Sequence, residues 1–220
     1  MQQCKLLSEY QNGNYKVRIY SDGTKIRFSN KAKQMENRSK LKNKDFTIIS
    51  NNCWGGLISQ KYGLPYRSPT CGLLICGDDY IKFCADIKHY LSQELNFIEF
   101  SEGKYSKTFE GMNFPVAKLC DIEIYFMHYH SNEEAAEKWY RRSKRINWDN
   151  IVYKISERET FTPEDMQNFA ALPLENKLIF ASRKYTEDTI VVPELNTFVG
   201  DETPLLAEYF KEAKYLNKLK

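Results

Sequence analysis

Apolar and polar positions follow one another along the chain in segments that predict strands and helices in turn. From residue 45 onward, short apolar runs typical of buried strands alternate with amphipathic segments whose apolar positions have helical spacing. Strands are predicted at residues 46–49, 72–76, 97–100, 115–119, 122–127, 151–155, 177–181 and 189–192. Helices are predicted at residues 54–62, 78–91, 131–146, from 162 onward and at 204–219. This order favours a layered α/β fold with a mainly parallel central sheet flanked by helices.

The first 44 residues differ from the rest in pattern and in charge. Alternating apolar and basic residues on both sides of Asp22-Gly23 predict a β-hairpin. Residues 1–44 hold eleven basic and three acidic residues, a net charge of +8, whereas residues 45–220 carry −5. We therefore predict a basic N-terminal segment over 1–44 and an α/β domain over 45–220.

The basic segment has several readings. It could meet nucleic acid, an anionic membrane surface or phosphorylated substrates, or it could be a solvated arm that packs on its own acidic domain. Nucleic acid is disfavoured because the segment contains no recognisable groove-reading motif.

Length and composition narrow the class of protein. With 220 residues, 42% of them hydrophobic, the chain can bury a core without disulfides or a structural metal. Its apolar runs are far shorter than the roughly 20 residues of a membrane-spanning helix, and its N-terminus lacks the apolar stretch of a signal peptide. The six cysteines contain no Cys-x-x-Cys pair and are most simply reduced thiols. We therefore expect a cytoplasmic globular protein.

The segment after the first predicted strand of the α/β domain is the strongest candidate for chemistry. Parallel sheets bind ligands beyond the carboxyl ends of their strands, which directs attention to the loops after residues 49, 76, 127 and 155. Cys53 lies at such an end and begins a helix, whose N-terminal field lowers the pKa of a thiol. The amides of Asn51 and Asn52 suit an oxyanion or a sugar hydroxyl, and Gly55-Gly56 allow close approach. The same residues could instead form a tight turn around a small buried cysteine.

Two histidines follow the predicted strand at residues 122–127. On an extended chain, His128 and His130 point to the same side, and His128 could act as the general base for Cys53. A zinc site would need a third ligand, such as His89, Asp121 or a cysteine. The plainer alternative is a histidine bonded to the backbone.

Basic residues near the end of the helix at 131–146 could bind an anionic group. Part of this charge pairs with glutamates one turn earlier in the helix. Arg142 and Arg145 remain to hold a phosphate or a carboxylate. Ser68, before the second predicted strand, is a weaker candidate for contact with the same ligand.

These residues also carry a resemblance to known proteins. The chain resembles a bacterial family of unestablished function, whose members are loosely described as capsule or exopolysaccharide biosynthesis proteins. The resemblance covers about residues 46–181. It rests on residues 49–56, Tyr66, Ser68-Pro69, His128-Tyr129, Trp139, Arg142, residues 145–147 and Asp149-Asn150.

A looser similarity links Asn52-Cys53 to capsule acyltransferases that place an Asn-Cys pair after the first strand of an α/β sheet. In this chain Trp54-Gly55 stand where those proteins have a glutamine. The similarity implies acyl transfer from coenzyme A to a sugar hydroxyl.

Two functions are compatible with these features. The first is an enzyme of surface-polysaccharide biosynthesis, an acyl- or other group-transferase with Cys53 as nucleophile and His128 as base. Its anionic donor would be coenzyme A or a sugar nucleotide. The expected substrate contacts are Asn51, Asn52, Trp54, Gly55, Gly56, Ser68, His130, Arg142 and Arg145. The second is a non-catalytic module that binds a sugar nucleotide or a glycan through the asparagines, Trp54 and the arginines.

Overall fold

The computed structural model describes residues 6–12, 15–21, 25–29, 31–197 and 200–219. Its strands are β1 Leu6–Asn12, β2 Tyr15–Tyr20, β3 Lys25–Ser29, β4 Thr47–Ser50, β5 Asn96–Ile98, β6 Val116–Leu119, β7 Ile122–Tyr125, β8 Ile151–Ser156, β9 Lys177–Ala181 and β10 Thr189–Val191. Its α-helices are α1 Lys31–Ser39, α2 Trp54–Lys61, α3 Gly77–Ala85, α4 Ile87–Leu91, α5 Asn132–Ser143, α6 Pro163–Ala171, α7 Thr203–Tyr209 and α8 Glu212–Leu216. Short 3₁₀ turns cover Phe100–Glu102 and Pro193–Asn196.

A four-stranded parallel sheet forms the centre of the fold, in the order β10-β9-β8-β4. Every residue of β4 and β8 is buried, as expected for a parallel sheet covered on both faces. Neighbouring residues of β4 face opposite sides: Ile49 packs with Phe83 and Trp139 from α3 and α5, whereas Ile48 packs with residues of α2, α7 and α8. The predicted mainly parallel sheet flanked by helices is therefore confirmed.

A separate antiparallel sheet in the order β5-β6-β7 holds three of the other predicted strands. The prediction of a strand at residues 72–76 is wrong. This segment makes one isolated bridge, between Leu74 and Tyr125, and glycines with positive φ bend the chain at both ends, at Gly72 and Gly77. The Ile75 N–H donates to the Asn51 carbonyl at 3.1 Å, so the segment links the end of β4 to β7.

Side chains cap the helices on this side of the sheet. The Ser131 hydroxyl accepts from the Glu134 N–H at the start of α5, while the Glu134 carboxylate accepts from His130 rather than returning to Ser131. Thr162 and Asp165 form a complete capping box at the start of α6. These caps fix where both helices begin.

The predicted final helix is two helices, because the chain is extended at Phe210 between α7 and α8. The Phe210 ring packs edge-on against Phe180 of β9, with ring centroids 5.4 Å apart. Packing of this partly buried ring on β9 accounts for the break in the helix. Among the described residues, none of the helices combines the length and apolar content needed to cross a bilayer.

The strands of the predicted N-terminal hairpin are β2 and β3, which pair antiparallel, and β1 extends this sheet. The Asp22-Gly23 turn itself lies outside the described residues. α1 follows and contacts the α/β domain directly. Arg38 Nη1 donates to the Gly63 carbonyl at 2.6 Å, and Gln34 Nε2 donates to the Gln60 carbonyl at 2.9 Å. The division of the chain at residue 44 stays a prediction.

Candidate functional site

A cleft of about 1090 Å³ lies at the carboxyl ends of β4 and β8. Ligand sites in proteins commonly measure roughly 300–1,000 Å³, so the cleft could hold a ligand the size of a substituted sugar. It is lined by residues 51–54, 71–72, 74–76, 127–129, 157–161, 195–197 and 200–203, with Tyr66, Lys138, Arg142 and several others. The predicted loops after residues 49, 127 and 155 contribute to it, whereas the chain after residue 76 continues into α3 and the lining there comes from the segment that ends at Cys76.

Asn51, directly after β4, is hydrogen-bonded to the end of the neighbouring strand β8. Its Nδ2 donates to the Ser156 carbonyl at 3.0 Å, and its Oδ1 accepts from the Ser156 N–H at 3.1 Å. The residue is buried. Its amide therefore joins the ends of β4 and β8, and its predicted role in substrate contact stays a prediction.

Asn52 and Ser50 cap the first turn of α2. Asn52 Oδ1 accepts from the Trp54 N–H at 3.1 Å, and the Ser50 hydroxyl accepts from the Gly55 N–H at 3.2 Å. These backbone donors are therefore bonded to the protein. Gly56 lines the cleft, whereas Gly55 packs against β4.

Trp54 lines the cleft with only a small part of its surface. The side chain is 3% exposed and belongs to the core on the α2 side of the sheet. Its ring lies 6.2 Å from that of Phe180. Packing accounts for most of its surroundings, and its predicted contact with substrate stays a prediction.

A buried ion pair is in contact with the turn at Asn52. Lys154 of β8 is fully buried and its Nζ bonds the Glu202 carboxylate, which is also almost fully buried. Lys154 Nζ also donates to Asn52 Oδ1 at 3.1 Å, and the Ser156 hydroxyl donates to Glu202 at 3.0 Å. Arg158 Nη1 lies 3.6 Å from the second carboxylate oxygen. The sequence prediction missed this cluster, although a lysine within the apolar run Ile151–Ile155 was a signal for it.

Cys53 lines the cleft, and a minor part of its surface is exposed. Burial raises the pKa of its thiol to about 12, and Cys71, Glu202 and Asp201 raise it further. The expected lowering by the helix N-terminus is wrong, because burial has the largest effect on this thiol and the nearby carboxylates act in the same direction. Cys53 is therefore a neutral thiol near pH 7, and its role in catalysis stays a prediction.

His128 lines the same cleft from the loop after β7. The side chain is exposed, and the backbone N–H donates to the Gly72 carbonyl at 3.1 Å. No hydrogen bond joins His128 to Cys53 in the structure. His130 is exposed and is not among the lining residues; its N–H donates to Glu134 at 2.8 Å. Among the described residues, no three His, Cys, Asp or Glu side chains are grouped so as to hold a metal ion.

Arg142 reaches the cleft from α5 and is 8% exposed. Its Nη1 donates to the Cys71 carbonyl at 2.8 Å and to the Tyr129 hydroxyl. The guanidinium carbon lies 4.9 Å from the centre of the Tyr66 ring and 5.8 Å from that of Tyr129. Such stacking favours arginine over lysine at this position.

The structure separates Arg142 from the other predicted anion contacts. Arg145 is exposed and is not among the residues that line the cleft. Ser68 is buried and shares a hydrogen bond of 2.8 Å with Thr70, whose hydroxyl accepts from the Ser50 N–H. Ser68 therefore supports the end of β4 through Thr70. Both residues' roles in ligand binding stay predictions.

Comparison with known proteins places the chain in a family. Residues 24–218 match the model of a domain of unknown function, DUF1919, and the chain belongs to this family. It is also 38% identical over 146 residues to an uncharacterized protein of Haemophilus influenzae. That similarity spans 66% of this chain and 66% of the relative, just under two thirds of its length.

Proposed function

We propose that the protein is a cytoplasmic group-transferase of surface-polysaccharide biosynthesis that transfers an acyl group to a sugar. One observation carries the proposal: Cys53, His128 and Arg142 come from three distant segments and line one cleft at the carboxyl edge of the sheet. The resemblance of the same segments to capsule and exopolysaccharide proteins supports the substrate class. A thiol, an imidazole and a guanidinium together suit a nucleophile, a base and an anion contact.

In the proposed reaction, Cys53 Sγ attacks the carbonyl carbon of an acyl thioester while His128 takes the thiol proton. The bond from the carbonyl carbon to the donor sulfur breaks, and the departing thiolate receives that proton from His128. A sugar hydroxyl then attacks the acyl group on Cys53, with His128 taking the hydroxyl proton. Cys53 leaves as a thiolate and regains a proton from His128, so the protein returns to its starting state.

The raised pKa of Cys53 decides the timing of the first proton transfer. Because the thiol is neutral near pH 7, the proton must leave as the carbon–sulfur bond forms. The base must therefore act in the same step, as a general base does. His128 is the proposed base because it lines the same cleft as the thiol and its side chain is exposed.

Acylation of Cys53 tests this proposal directly. Wild-type protein incubated with acetyl-coenzyme A should gain one acetyl group, which mass spectrometry of its peptides should locate on Cys53. Cys53→Ser should lose the label, since a hydroxyl is a much weaker nucleophile, and His128→Asn should acquire it more slowly. Cys120→Ser is the matched control because Cys120 is exposed on the β6–β7 turn, and it should label like wild type. Acetylation that persists in Cys53→Ser would exclude the thiol as the nucleophile.

A non-catalytic glycan-binding module is the second candidate, and the raised pKa of Cys53 favours it. A binder needs no reactive thiol. A neutral, mostly buried cysteine can form part of the wall of a ligand pocket without reacting. This function predicts no acylation, together with equal sugar affinity for wild type and Cys53→Ser in isothermal titration calorimetry. Loss of sugar affinity in Cys53→Ser would argue against it.

A further inference from the structure

Arg142 is a buried cation without a carboxylate partner among the described residues. Its hydrogen bonds go to a carbonyl and a hydroxyl, both uncharged. A buried charge is stable only when it is paired or well hydrogen-bonded. A bound anion would supply the missing counter-charge from the cleft, which Arg142 lines.

The hydrogen bonds of Arg142 determine which edge of the guanidinium a ligand can reach. Nη1 has two hydrogens, and they are directed to the Cys71 carbonyl and the Tyr129 hydroxyl. The Nε and Nη2 hydrogens have no acceptor within the described part of the chain. Together they form the side-on edge, whose two parallel N–H groups match two oxygens of a phosphate or a carboxylate. Tyr66 supports the face of the group at 4.9 Å.

Several other cationic and N–H groups near the cleft already have partners. Side chains cap the Trp54 and Gly55 N–H groups of α2. Lys138 pairs with Glu134, and Arg158 lies beside Glu202 and Glu159 at 3.6 Å from each. Arg142 is thus the group best placed to bind an anion.

Charges elsewhere in the cleft limit how many anionic groups a ligand can carry. Glu157, Glu159 and Asp201 also line it. Cys53 lines the same cleft, as do Asp201, Glu202 and Cys71, whose carbonyl accepts from Arg142. A ligand anchored at Arg142 would share the cleft with Cys53 and these carboxylates. Further negative charge would be repelled there, whereas neutral hydroxyls could donate hydrogen bonds.

We propose that the Nε–Nη2 edge of Arg142 binds the single oxyanion group, a phosphate monoester or a carboxylate, of the sugar substrate. The neutral hydroxyls of that sugar face Cys53. The inference rests on the proposed function for the choice of a sugar, and it assigns the anion to the sugar rather than to a polyanionic donor. Only the thioester end of a donor would then enter the cleft.

Calorimetric titrations of the full-length protein test this inference. The probes are glucose 1-phosphate, glucuronic acid, glucose and uridine diphosphoglucose, each titrated into wild type, Arg142→Lys and Lys144→Ala. Arg142→Lys keeps the charge but removes the side-on edge, so it should weaken binding of a charged monosaccharide by about tenfold or more. Lys144→Ala removes an exposed charge directly after α5, outside the residues that line the cleft, and should bind like wild type. The charged sugar that binds more tightly identifies the group as phosphate or carboxylate.

Three results would overturn the inference. Equal binding of glucose and the charged sugars, with no effect of Arg142→Lys, would exclude Arg142 as the anion contact. The protein would still be a sugar-binding protein in that case. Binding of uridine diphosphoglucose that depends on Arg142 and is at least as tight would contradict a single anionic group. No binding of any sugar would reject the substrate class itself, and with it the proposed function.

A measurement on wild type alone covers the case in which Arg142→Lys does not fold. The charged sugar should shift one arginine Nε–H resonance of ¹⁵N-labelled protein, because Nε is one of the two proposed donors. Glucose should leave that resonance in place. If none of the arginine Nε–H signals moves with a charged sugar, the inference fails.

Discussion

At the scale of single residues, the floor of the cleft depends on one buried lysine. Lys154 joins two parts of the chain that are far apart, the Asn52 turn and Glu202. Burial lowers its pKa, while Glu202 favours its charged form. The charge is tolerated in the sheet because the carboxylate, an amide oxygen and the Trp54 ring at 5.6 Å surround it. The pair therefore stabilises the cleft only while both partners are present, because either charge alone would be buried without its counter-charge.

Breaking the pair should destabilise the protein strongly. Glu202→Gln leaves Lys154 buried without its counter-charge, which should lower the free energy of unfolding by about 3–5 kcal/mol. Lys154→Met combined with Glu202→Leu should cost less than Glu202→Gln, because no charge is left unpaired. Urea denaturation measures both changes. Glu187→Gln removes the partner of an exposed lysine and should leave the unfolding midpoint unchanged; a double variant less stable than Glu202→Gln would refute the argument.

The sequence predicted which segments meet at this site better than what their side chains do there. A polar turn after an apolar strand placed residues 51–54 correctly in the cleft. The hydrogen-bond partners of Asn51 and Asn52 could not be predicted, because Ser156 and Lys154 are more than one hundred residues away. The direction of the Cys53 pKa shift was missed for the same reason: local position suggested a helix field, whereas burial and distant carboxylates determine it.

At the scale of secondary-structure elements, the close packing of α2 on β4 positions the candidate site. A Cβ on Gly55 would lie 2.9 Å from Ile48 Cγ2 and 3.0 Å from Ser50 Oγ. Ser50 caps the helix through the Gly55 N–H. The glycine therefore lets the helix start close to the strand, which brings Cys53 to the sheet edge.

Alanine substitutions at the two adjacent glycines should have different effects on the stability of the protein. Gly55→Ala forces α2 away from β4 and should lower the free energy of unfolding by roughly 1–3 kcal/mol, as overpacking does. Gly56→Ala is the matched control, since its Cβ would meet Cys71 at 3.4 Å, an ordinary contact. Because alanine favours helix by up to about 1 kcal/mol over glycine, Gly56→Ala should be neutral or stabilising. Thermal unfolding of both variants measures the difference, and equal losses would contradict close packing as the cause.

Element types were more predictable than their pairing. The four strands of the central sheet and the capped helices α5 and α6 were evident from apolar runs and capping residues. The sequence did not show that β5, β6 and β7 form a sheet of their own, because the pattern along one strand does not specify which strand it pairs with. The break at Phe210 was hidden as well, since its cause is a contact with Phe180.

At the scale of the whole molecule, the three cysteine thiols that line the cleft share one property, a pKa raised by burial. Burial raises the pKa of Cys71 to about 11 and that of Cys76 to about 12, as it does for Cys53. The folded protein therefore retains these protons above pH 9, where the unfolded chain releases them. A pKa raised by folding contributes stability below the unfolded value of 9.0, and this contribution is lost as the pH rises toward the folded value.

The protein should therefore lose stability steeply between pH 9 and pH 11. Each buried thiol can contribute up to about 1.4 kcal/mol per pH unit in this range. In urea denaturation, Cys53→Ala should show a shallower fall than wild type over the same interval. Between pH 7 and pH 8, where the thiol is protonated in both states, the two proteins should have the same slope. A parallel decline of both proteins above pH 9 would contradict burial of a neutral thiol at Cys53.

The bond between Asn51 and Ser156 also has a consequence for the order of events during synthesis. The two residues are separated by 105 positions, and Glu202 follows Lys154 by another 48. While the ribosome makes these residues, the Asn51–Trp54 turn has already emerged and lacks the partners that enclose it. Cys53 must therefore pass through an interval as an open, ordinary thiol, and the nascent chain is more vulnerable to oxidation there than the finished protein.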